Sequence, residues 1–185
     1  MKRLLFLSVI VLTVLFGNVS KLKAEVPSEK FLCTSIAGLD LKNTTINNIK
    51  FVDGEACTSD SAEMPDHCDW KHTISRDEIL KPISGKEVRL VILHSNHETG
   101  SGAWDTVLAF DCVNGSMRKL FEKKDLAGVK IEKTTGGAVI LTSGIWQPKD
   151  PMCCPSKEKR EIYRWSSSKS TYILESTKTS KANLK

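Results

Sequence analysis

The hydrophobic pattern of this chain is mainly that of β-strands, with one continuous apolar run and one segment of strict alternation. The run 88–93 (VRLVIL) is β-branched and aliphatic, which predicts a central strand. From Trp104 to Cys112 the side chains alternate, and the bulkier set is expected to form a buried face. That set comprises Trp104, Thr106, Leu108, Phe110 and Cys112. Trp165 is likewise expected in the core.

Turn signals divide these strands into hairpins. Asn114-Gly115 favours a tight turn that returns the chain through 117–121. Two further hairpins are predicted, 129–132 with 138–142 and 161–165 with 171–174. A capping box, Ser75 with Glu78, and the following Pro82 predict one short helix. The predicted fold is mainly β, with α+β as the alternative: a single antiparallel sheet meander with one short helix, stabilised by disulfides.

The first residues have the pattern of a secretory signal. Lys2 and Arg3 precede an apolar run at 4–16, which is shorter than the about 20 residues of a membrane span. Cleavage is expected between Ala24 and Glu25. The chain then divides into a signal peptide (1–24), one disulfide-stabilised β domain (25–175) and a flexible, Lys-rich tail (176–185). We expect a soluble periplasmic or secreted protein with no membrane span, and an uncleaved anchor is the alternative.

Removal of the leader changes the charge of the chain. The whole sequence carries 27 basic and 22 acidic residues, and loss of Lys2, Arg3, Lys21 and Lys23 leaves 23 basic residues. A nucleic-acid partner requires a basic stripe that contacts several phosphates. The remaining lysines are instead interleaved with acidic residues, as at 157–161. We therefore expect no nucleic-acid partner.

All six cysteines follow the leader: Cys33, Cys57, Cys68, Cys112, Cys153 and Cys154. An even number in an oxidising compartment predicts a disulfide framework. Cys57 and Cys68 flank a polar loop and are the preferred pair. Because adjacent cysteines are too close for ordinary disulfide geometry, Cys153 and Cys154 are expected to bond to two different partners, for which Cys33 and Cys112 remain. A vicinal Cys153–Cys154 bond is the alternative.

The segment 150–156 (DPMCCPS), followed by the aromatic strand 163–165 (YRW), resembles the C-terminal signature of a group of bacterial exported proteins without assigned biochemistry. The group includes the mycobacterial LppP/LprE-type lipoproteins. The stretches 52–56 (VDGEA) and 100–109 (GSGAWDTVLA) are similar in the same order, so the resemblance covers roughly residues 43 to 165. It implies an exported domain. The lipoprotein cysteine is absent and 84–87 (SGKE) replaces an Asp/Gly-rich element, so neither lipid anchoring nor a calcium loop is implied.

Candidate binding residues lie in and beside this segment: Trp146, Asp150, Met152 and Ser156. An aromatic residue beside a cystine-fixed loop is a plausible contact anchor, and packing of Trp146 in the core is the alternative. We predict no catalytic residue, because no Gly-x-Ser-x-Gly elbow is present and the even cysteine count disfavours a free nucleophilic thiol. No cofactor or metal is predicted. The alternative is a metal site built from the histidines His67, His72, His94 and His97.

Two classes of function remain. The first is a non-enzymatic binding or inhibitory module of the cell envelope or medium, which presents the loops 95–103 and 146–156 to an unknown protein or envelope polymer. The second is a small redox or metal-handling factor that uses the adjacent cysteines and the histidines. The two classes differ in their thiols, since the binding module needs every cysteine oxidised. We favour the first.

Overall fold

The computed structural model describes residues 33–80, 85–100, 102–133, 137–151 and 154–182. This part of the chain contains ten strands: β1 (Thr45–Ile46), β2 (Ile49–Lys50), β3 (Glu55–Thr58), β4 (Trp70–Leu80), β5 (Val88–His97), β6 (Ala103–Val113), β7 (Ser116–Lys133), β8 (Ala138–Ile145), β9 (Lys157–Ser166) and β10 (Thr171–Lys181). A 3-10 turn at Leu41–Asn43 precedes them. Within the ranges given, no helix has the length and apolarity needed to cross a membrane. The predicted leader, 1–24, lies outside the described residues.

Eight of the strands form one antiparallel meander. Their order across the sheet is β10-β9-β8-β7-β6-β5-β4-β3, and β1 and β2 make a separate hairpin. The three predicted hairpins are confirmed as the pairs β6–β7, β7–β8 and β9–β10. The mainly β, antiparallel fold class is therefore confirmed.

The sheet bends sharply along β7, which is 18 residues long. Its first part pairs with β6 and its last part pairs with β8, and the register shifts between Ala127 and Lys130. Two residues at this bend, Asp125 and Gly128, both have a φ of 57°. Left-handed residues and bulges bend a strand and raise its local twist. The strands β8 to β10 are thereby folded back towards β5 and β6.

Two hydrophobic clusters lie on opposite faces of β5 and β6. The inner cluster lies between the two halves of the folded sheet and consists of Val88, Leu90, Ile92, Val107, Ala109, Leu120, Leu126, Ile131, Val139, Leu141, Tyr163 and Tyr172. The outer cluster consists of Cys33, Ile36, Leu41, Ile46, Phe51, Val91, Leu93, Leu108 and Phe110. Strands buried on both faces have nearly continuous apolar sequences, and this explains the run 88–93.

The segment 33–52 covers the outer face at one end of the strands. It is fixed there by a disulfide between Cys33 and Cys112, whose Cα atoms are 5.8 Å apart. The Cys33 N–H also donates to the Gly115 carbonyl at 2.9 Å. Arg89 donates to the Ile36 and Leu39 carbonyls and pairs with Asp77 at 2.6 Å. These contacts hold an otherwise irregular segment against the sheet.

The predicted helix after Ser75 is wrong. Residues 70–80 form β4, which pairs with β5 along its whole length, and Ser75 is the extra residue at a register shift. The capping pattern is a local signal, whereas this strand gains its hydrogen bonds from β5, whose paired residues lie 8 to 27 positions further along the chain. Tertiary pairing therefore overrides the local preference.

The predictions for the tail and for Trp104 are also corrected. Residues 176–181 were expected in a flexible tail, but they continue β10 and pair with β9 as far as Lys181 with Lys157. Trp104 was expected in the core, but 37% of its surface is exposed, because the segment 33–52 does not reach its end of β6. Trp165 packs against the inner cluster, as predicted.

The cysteine pairing is partly as predicted. Cys57 and Cys68 form a disulfide that closes the loop between β3 and β4, with a Cα separation of 5.4 Å. Since Cys33 bonds to Cys112, the expected bonds from these two cysteines to Cys153 and Cys154 are wrong. Cys154 is itself disulfide-bonded. The vicinal alternative involves Cys153, which lies outside the described residues.

We expect the two mapped disulfides to differ in their contribution to stability. Closing a longer loop removes more entropy from the unfolded chain, and the sequence separations are 79 and 11 residues. In the chain-entropy model, replacing Cys33 and Cys112 by Ser costs about 4–5 kcal/mol, and replacing Cys57 and Cys68 costs about 3 kcal/mol. The free energies of unfolding in urea measure both. Equal losses, or the larger loss for the Cys57/Cys68 variant, would contradict this ranking.

Candidate functional site

The outer face carries polar and aromatic side chains at the end that the segment 33–52 leaves uncovered. In the sheet register, Trp70 is opposite His97, His72 is opposite Ser95, and Ser95 is opposite Trp104. Residues directly opposite in an antiparallel pair point to the same side, with diagonal neighbours about 7–8 Å apart. These five residues therefore form one continuous patch, which we call the Trp104 surface.

The buried centre of this surface is His72, which is 8% exposed. Its Nε2 lies 2.9 Å from the Thr58 hydroxyl, and its Nδ1 lies 2.8 Å from the Ser95 hydroxyl. Burial lowers the pKa of His72 below its usual 6.5. A neutral imidazole with one donor and one acceptor nitrogen satisfies both hydroxyls, so this trio connects β3, β4 and β5.

The rim of the surface is built from two loops that contact each other. The ring of His97 meets Trp70 edge-on, with centroids 4.9 Å apart, and His97 Nε2 lies 3.9 Å from a carboxylate oxygen of Asp60. Trp70 Nε1 donates to both oxygens of Asp60, at 3.1 and 3.0 Å. The Glu98 N–H donates to the Asp69 carbonyl at 2.9 Å. The loop 59–69 is thereby joined to the end of β5 and to Glu98, which follows it.

Asp69 organises the first of these loops. Its carboxylate accepts hydrogen bonds from the Asp60 N–H at 2.8 Å and from the Ser59 hydroxyl at 3.0 Å. The same bonds, the backbone bond first, hold the pKa of Asp69 below its usual 3.8. The Cys57–Cys68 disulfide ties the two ends of the loop together. The aromatic rim therefore rests on a loop that is crosslinked both covalently and by hydrogen bonds.

A second histidine lies on the inner face. His94 Nδ1 is 2.7 Å from Asp105, and the other carboxylate oxygen of Asp105 accepts from the Val129 N–H at 2.7 Å. A buried carboxylate with one oxygen fixed by the backbone orients the imidazole that it contacts and sets its tautomer. If His94 acted as a general base, Nε2 would take the proton, because Nδ1 faces Asp105. The hydroxyls of Ser95 and Thr58, which are the candidate nucleophiles, bond to His72 on the opposite face.

The loop 146–156 also approaches the bend in β7. A Cβ added at Gly144 would lie 2.3 Å from Pro155 and 3.4 Å from the Ala127 carbonyl, so glycine is required where the loop packs against the sheet. Asp150 accepts from the N–H groups of Ser156 at 2.8 Å and Gln147 at 2.7 Å. These bonds, that from Ser156 first, hold the pKa of Asp150 below 3.8.

The candidate binding residues of this loop have different surroundings. Trp146 is 36% exposed, which favours the contact role over packing in the core. Asp150 closes the loop through its two backbone hydrogen bonds, and one of these comes from Ser156. Met152 lies outside the described residues.

The four histidines of the metal alternative are not brought together as a set, although two of them, His72 and His97, share the Trp104 surface. His72 and His97 belong to the outer face and His94 to the inner face, while His67 lies in the loop 59–69, 3.5 Å from Asp69. In the described part of the chain, no three His, Cys, Asp or Glu side chains are grouped as metal ligands. Trp70 and His72 share the outer face because they are two residues apart in β4.

Sequence reasoning missed several residues of the Trp104 surface and of its immediate surroundings. Thr58, Asp60 and Trp70 were not candidates, and Ser95 was considered only as part of a loop. The available signal is the alternation Trp70-x-His72-x-Ile74, which continues an apolar face into polar positions once 70–80 is known to be a strand. The prediction of a helix there concealed it.

The buried position of His72 predicts a pH-dependent stability. Because its pKa is lowered in the folded protein, the unfolded chain binds a proton more readily as pH falls below about 6.5. The stabilising contribution is complete above that pH and is lost as pH falls towards the lowered pKa. We expect His72→Gln, which retains hydrogen-bonding groups, to lose less stability than the unmodified protein between pH 7.5 and 5.

Urea unfolding at the two pH values measures this difference. His67→Gln is the matched control, because it makes the same substitution at a histidine that has 54% of its side chain exposed, and it should change the pH dependence less than His72→Gln does. Equal pH dependence in the His72 variant and the unmodified protein would show that His72 takes up its proton normally.

Comparison with known proteins gives no match: no protein-family model, no curated protein and no solved structure is similar to this chain. The resemblance of 150–156 to the exported bacterial proteins therefore stays a prediction. Function has to be argued from the contacts and charges of the described residues.

Proposed function

We propose that this protein is an exported, non-enzymatic binding module of the cell envelope or growth medium, and that it contacts its partner through the Trp104 surface. The observation that carries this proposal is the exposure of Trp104. It is 37% exposed at the start of a strand whose residues 107–110 are almost completely buried. Tryptophan is the residue type most enriched among the dominant contacts of protein interfaces.

The rigidity of the surrounding sheet supports a binding role. Trp104 lies on β6, which is paired on both sides, and the rim formed by Trp70, His97 and Asp60 is fixed by the contacts described above. A preformed contact surface loses little conformational entropy on association, so more of its interaction energy appears as affinity.

The roles of the polar side chains also favour binding over catalysis. Both ring nitrogens of His72 bond to hydroxyls, and both oxygens of Asp105 hold structural partners. Asp150 and Asp69 organise loops in the same way. His72 and Asp69 thereby position the Trp104 surface and its rim, whereas Asp105 and Asp150 hold other parts of the fold.

The cysteines support export to the periplasm or medium. Cys33, Cys57, Cys68 and Cys112 form two disulfides, and Cys154 is also oxidised. Disulfides of this kind persist in oxidising compartments and are rare in the cytosol. The leader-like residues 1–24 provide the means of export.

Export makes a specific prediction about the chemical form of the protein. Full-length chain expressed in a bacterium should be recovered outside the cytosol with its amino terminus near Glu25, and no cysteine should react with an alkylating reagent before reduction. Intact-mass and peptide mass spectrometry give the terminus, the cystine map and any bound metal together. A cytosolic product with its leader and reduced thiols would refute export, and retained metal or a readily reducible pair would favour the redox or metal-handling alternative.

Replacement of Trp104 should weaken binding without unfolding the protein. We expect Trp104→Thr, which places another residue of high β-propensity in the strand, to reduce retention of the mature protein on envelope fractions and secreted proteins by at least about 30-fold. This is the effect of a dominant contact worth about 2 kcal/mol. Leu174→Thr is the matched control, since Leu174 is 51% exposed on β10.

The control should change retention less than about twofold, and urea unfolding of both variants should verify that they are folded. If Trp104→Thr is retained as strongly as the control, the Trp104 surface is not the binding site.

A further inference from the structure

Resting on the proposed function, we infer that the partner is a protein that presents arginine or lysine side chains to the Trp104 surface. The surface is an uncovered end of a sheet face whose other end is covered by the segment 33–52. Its chemistry is not simply apolar, because the aromatic side chains are bordered by carboxylates. This combination determines what can occupy it.

The loops at the rim of the surface are acidic, whereas its β7 side carries both signs: Lys124, which pairs with Glu122 at 3.4 Å, and Asp125. Residues 51–70 contain six acidic residues and no lysine or arginine, and residues 90–117 likewise contain no lysine or arginine. The residues at the rim include five acids, four from the loop 59–69 and one that follows β5: Asp60, Glu63, Asp66, Asp69 and Glu98. All of these except Asp69 are exposed, and the Asp60 side chain is 68% exposed.

The other edge of the sheet, formed by β9 and β10, carries mainly positive charge. The segment 157–181, which forms β9 and β10, contains seven basic and three acidic residues. Although the mature chain is close to neutral, its charges are therefore separated between the two edge regions of the sheet. Such separation orients a charged partner and raises its association rate. A cationic partner is therefore directed to the acidic loops that border the Trp104 surface.

The contacts at this surface suit a cationic side chain. A guanidinium or ammonium group lies favourably over the face of a tryptophan ring, within about 6 Å of its centre. Asp60 supplies a carboxylate at the Trp70 ring, and Glu98 is an exposed acid whose N–H bonds to the Asp69 carbonyl. A guanidinium can stack on an aromatic face and bond to a carboxylate at the same time. A neutral polymer could donate hydrogen bonds to these carboxylates, but only a cation also gains the attraction of opposite charges.

The test uses the mature, oxidised protein and synthetic peptides as probes. The first probe is a glycine peptide with three arginines, and its matched control has citrulline at the same positions, which keeps the shape of the side chain but removes its charge. A tetramer of N-acetylglucosamine represents a neutral envelope polymer. Binding is followed by the indole N–H signals of the four tryptophans in two-dimensional NMR.

The inference expects the arginine peptide to shift the Trp104 and Trp70 signals and to leave that of Trp165, in the inner cluster, unchanged. Affinity should fall at least fivefold between 25 and 250 mM salt, and at least fivefold in Asp60→Asn/Glu98→Gln. Asparagine at 60 retains an oxygen for Trp70 Nε1. The control Glu132→Gln/Glu175→Gln removes the same number of exposed charges in β7 and β10, where these acids pair with Arg160 and Arg164, and it should change affinity less than twofold.

Other results overturn the inference without affecting the proposed function. Equal binding of the citrulline peptide, or equal losses in the two double variants, would show that local charge recognition is absent. Tryptophan shifts caused by the saccharide and not by the peptide would identify a polymer as partner. Shifts that depend on protein concentration, with dimers in sedimentation, would identify a second copy as the occupant. The proposed function instead fails if Trp104→Thr retains full binding to the envelope and secreted fractions.

Discussion

The burial of β5 and β6 on both faces is the constraint on which the rest of the structure depends. Val91 and Leu108 face the segment 33–52, whereas Leu90 and Val107 face the strands folded back by the bend in β7. Neither cover alone would bury these strands. Complete burial of a leucine or valine contributes about 1.5–3 kcal/mol, so the two covers together stabilise the central strands.

This arrangement also explains why the candidate site lies where it does. The segment 33–52 is tied at Cys112, near the turn between β6 and β7, and covers the outer face from that end. The other end of the same face, from Ser95 to Trp104, lies beyond its cover, and the loops 59–69 and 98–102 border it. The surface for binding is thus the part of a buried face that the covering segment leaves free.

The sequence predicted features that depend on neighbouring residues. The alternation in 104–112, the Asn114-Gly115 turn and the short Cys57–Cys68 loop are local, and the strand, hairpin and disulfide that they predicted are confirmed. The strand at 70–80, the Cys33–Cys112 bond and the exposure of Trp104 depend on partners distant in the chain. The hydrogen bonds of His72 to Thr58 and Ser95 likewise require the register of three strands.

The outermost strand, β10, has an effect on how copies of the molecule meet. A strand with one unpaired side exposes backbone N–H and C=O groups to any similar strand. Lys178 and Lys181 project from the exposed part of β10, and its register with β9 shifts between Leu174 and Ser176. If the β10 strands of two copies paired, four lysine ammonium groups would lie close together along an irregular strand pair. The like charges and the register shift together disfavour aggregation through this edge strand.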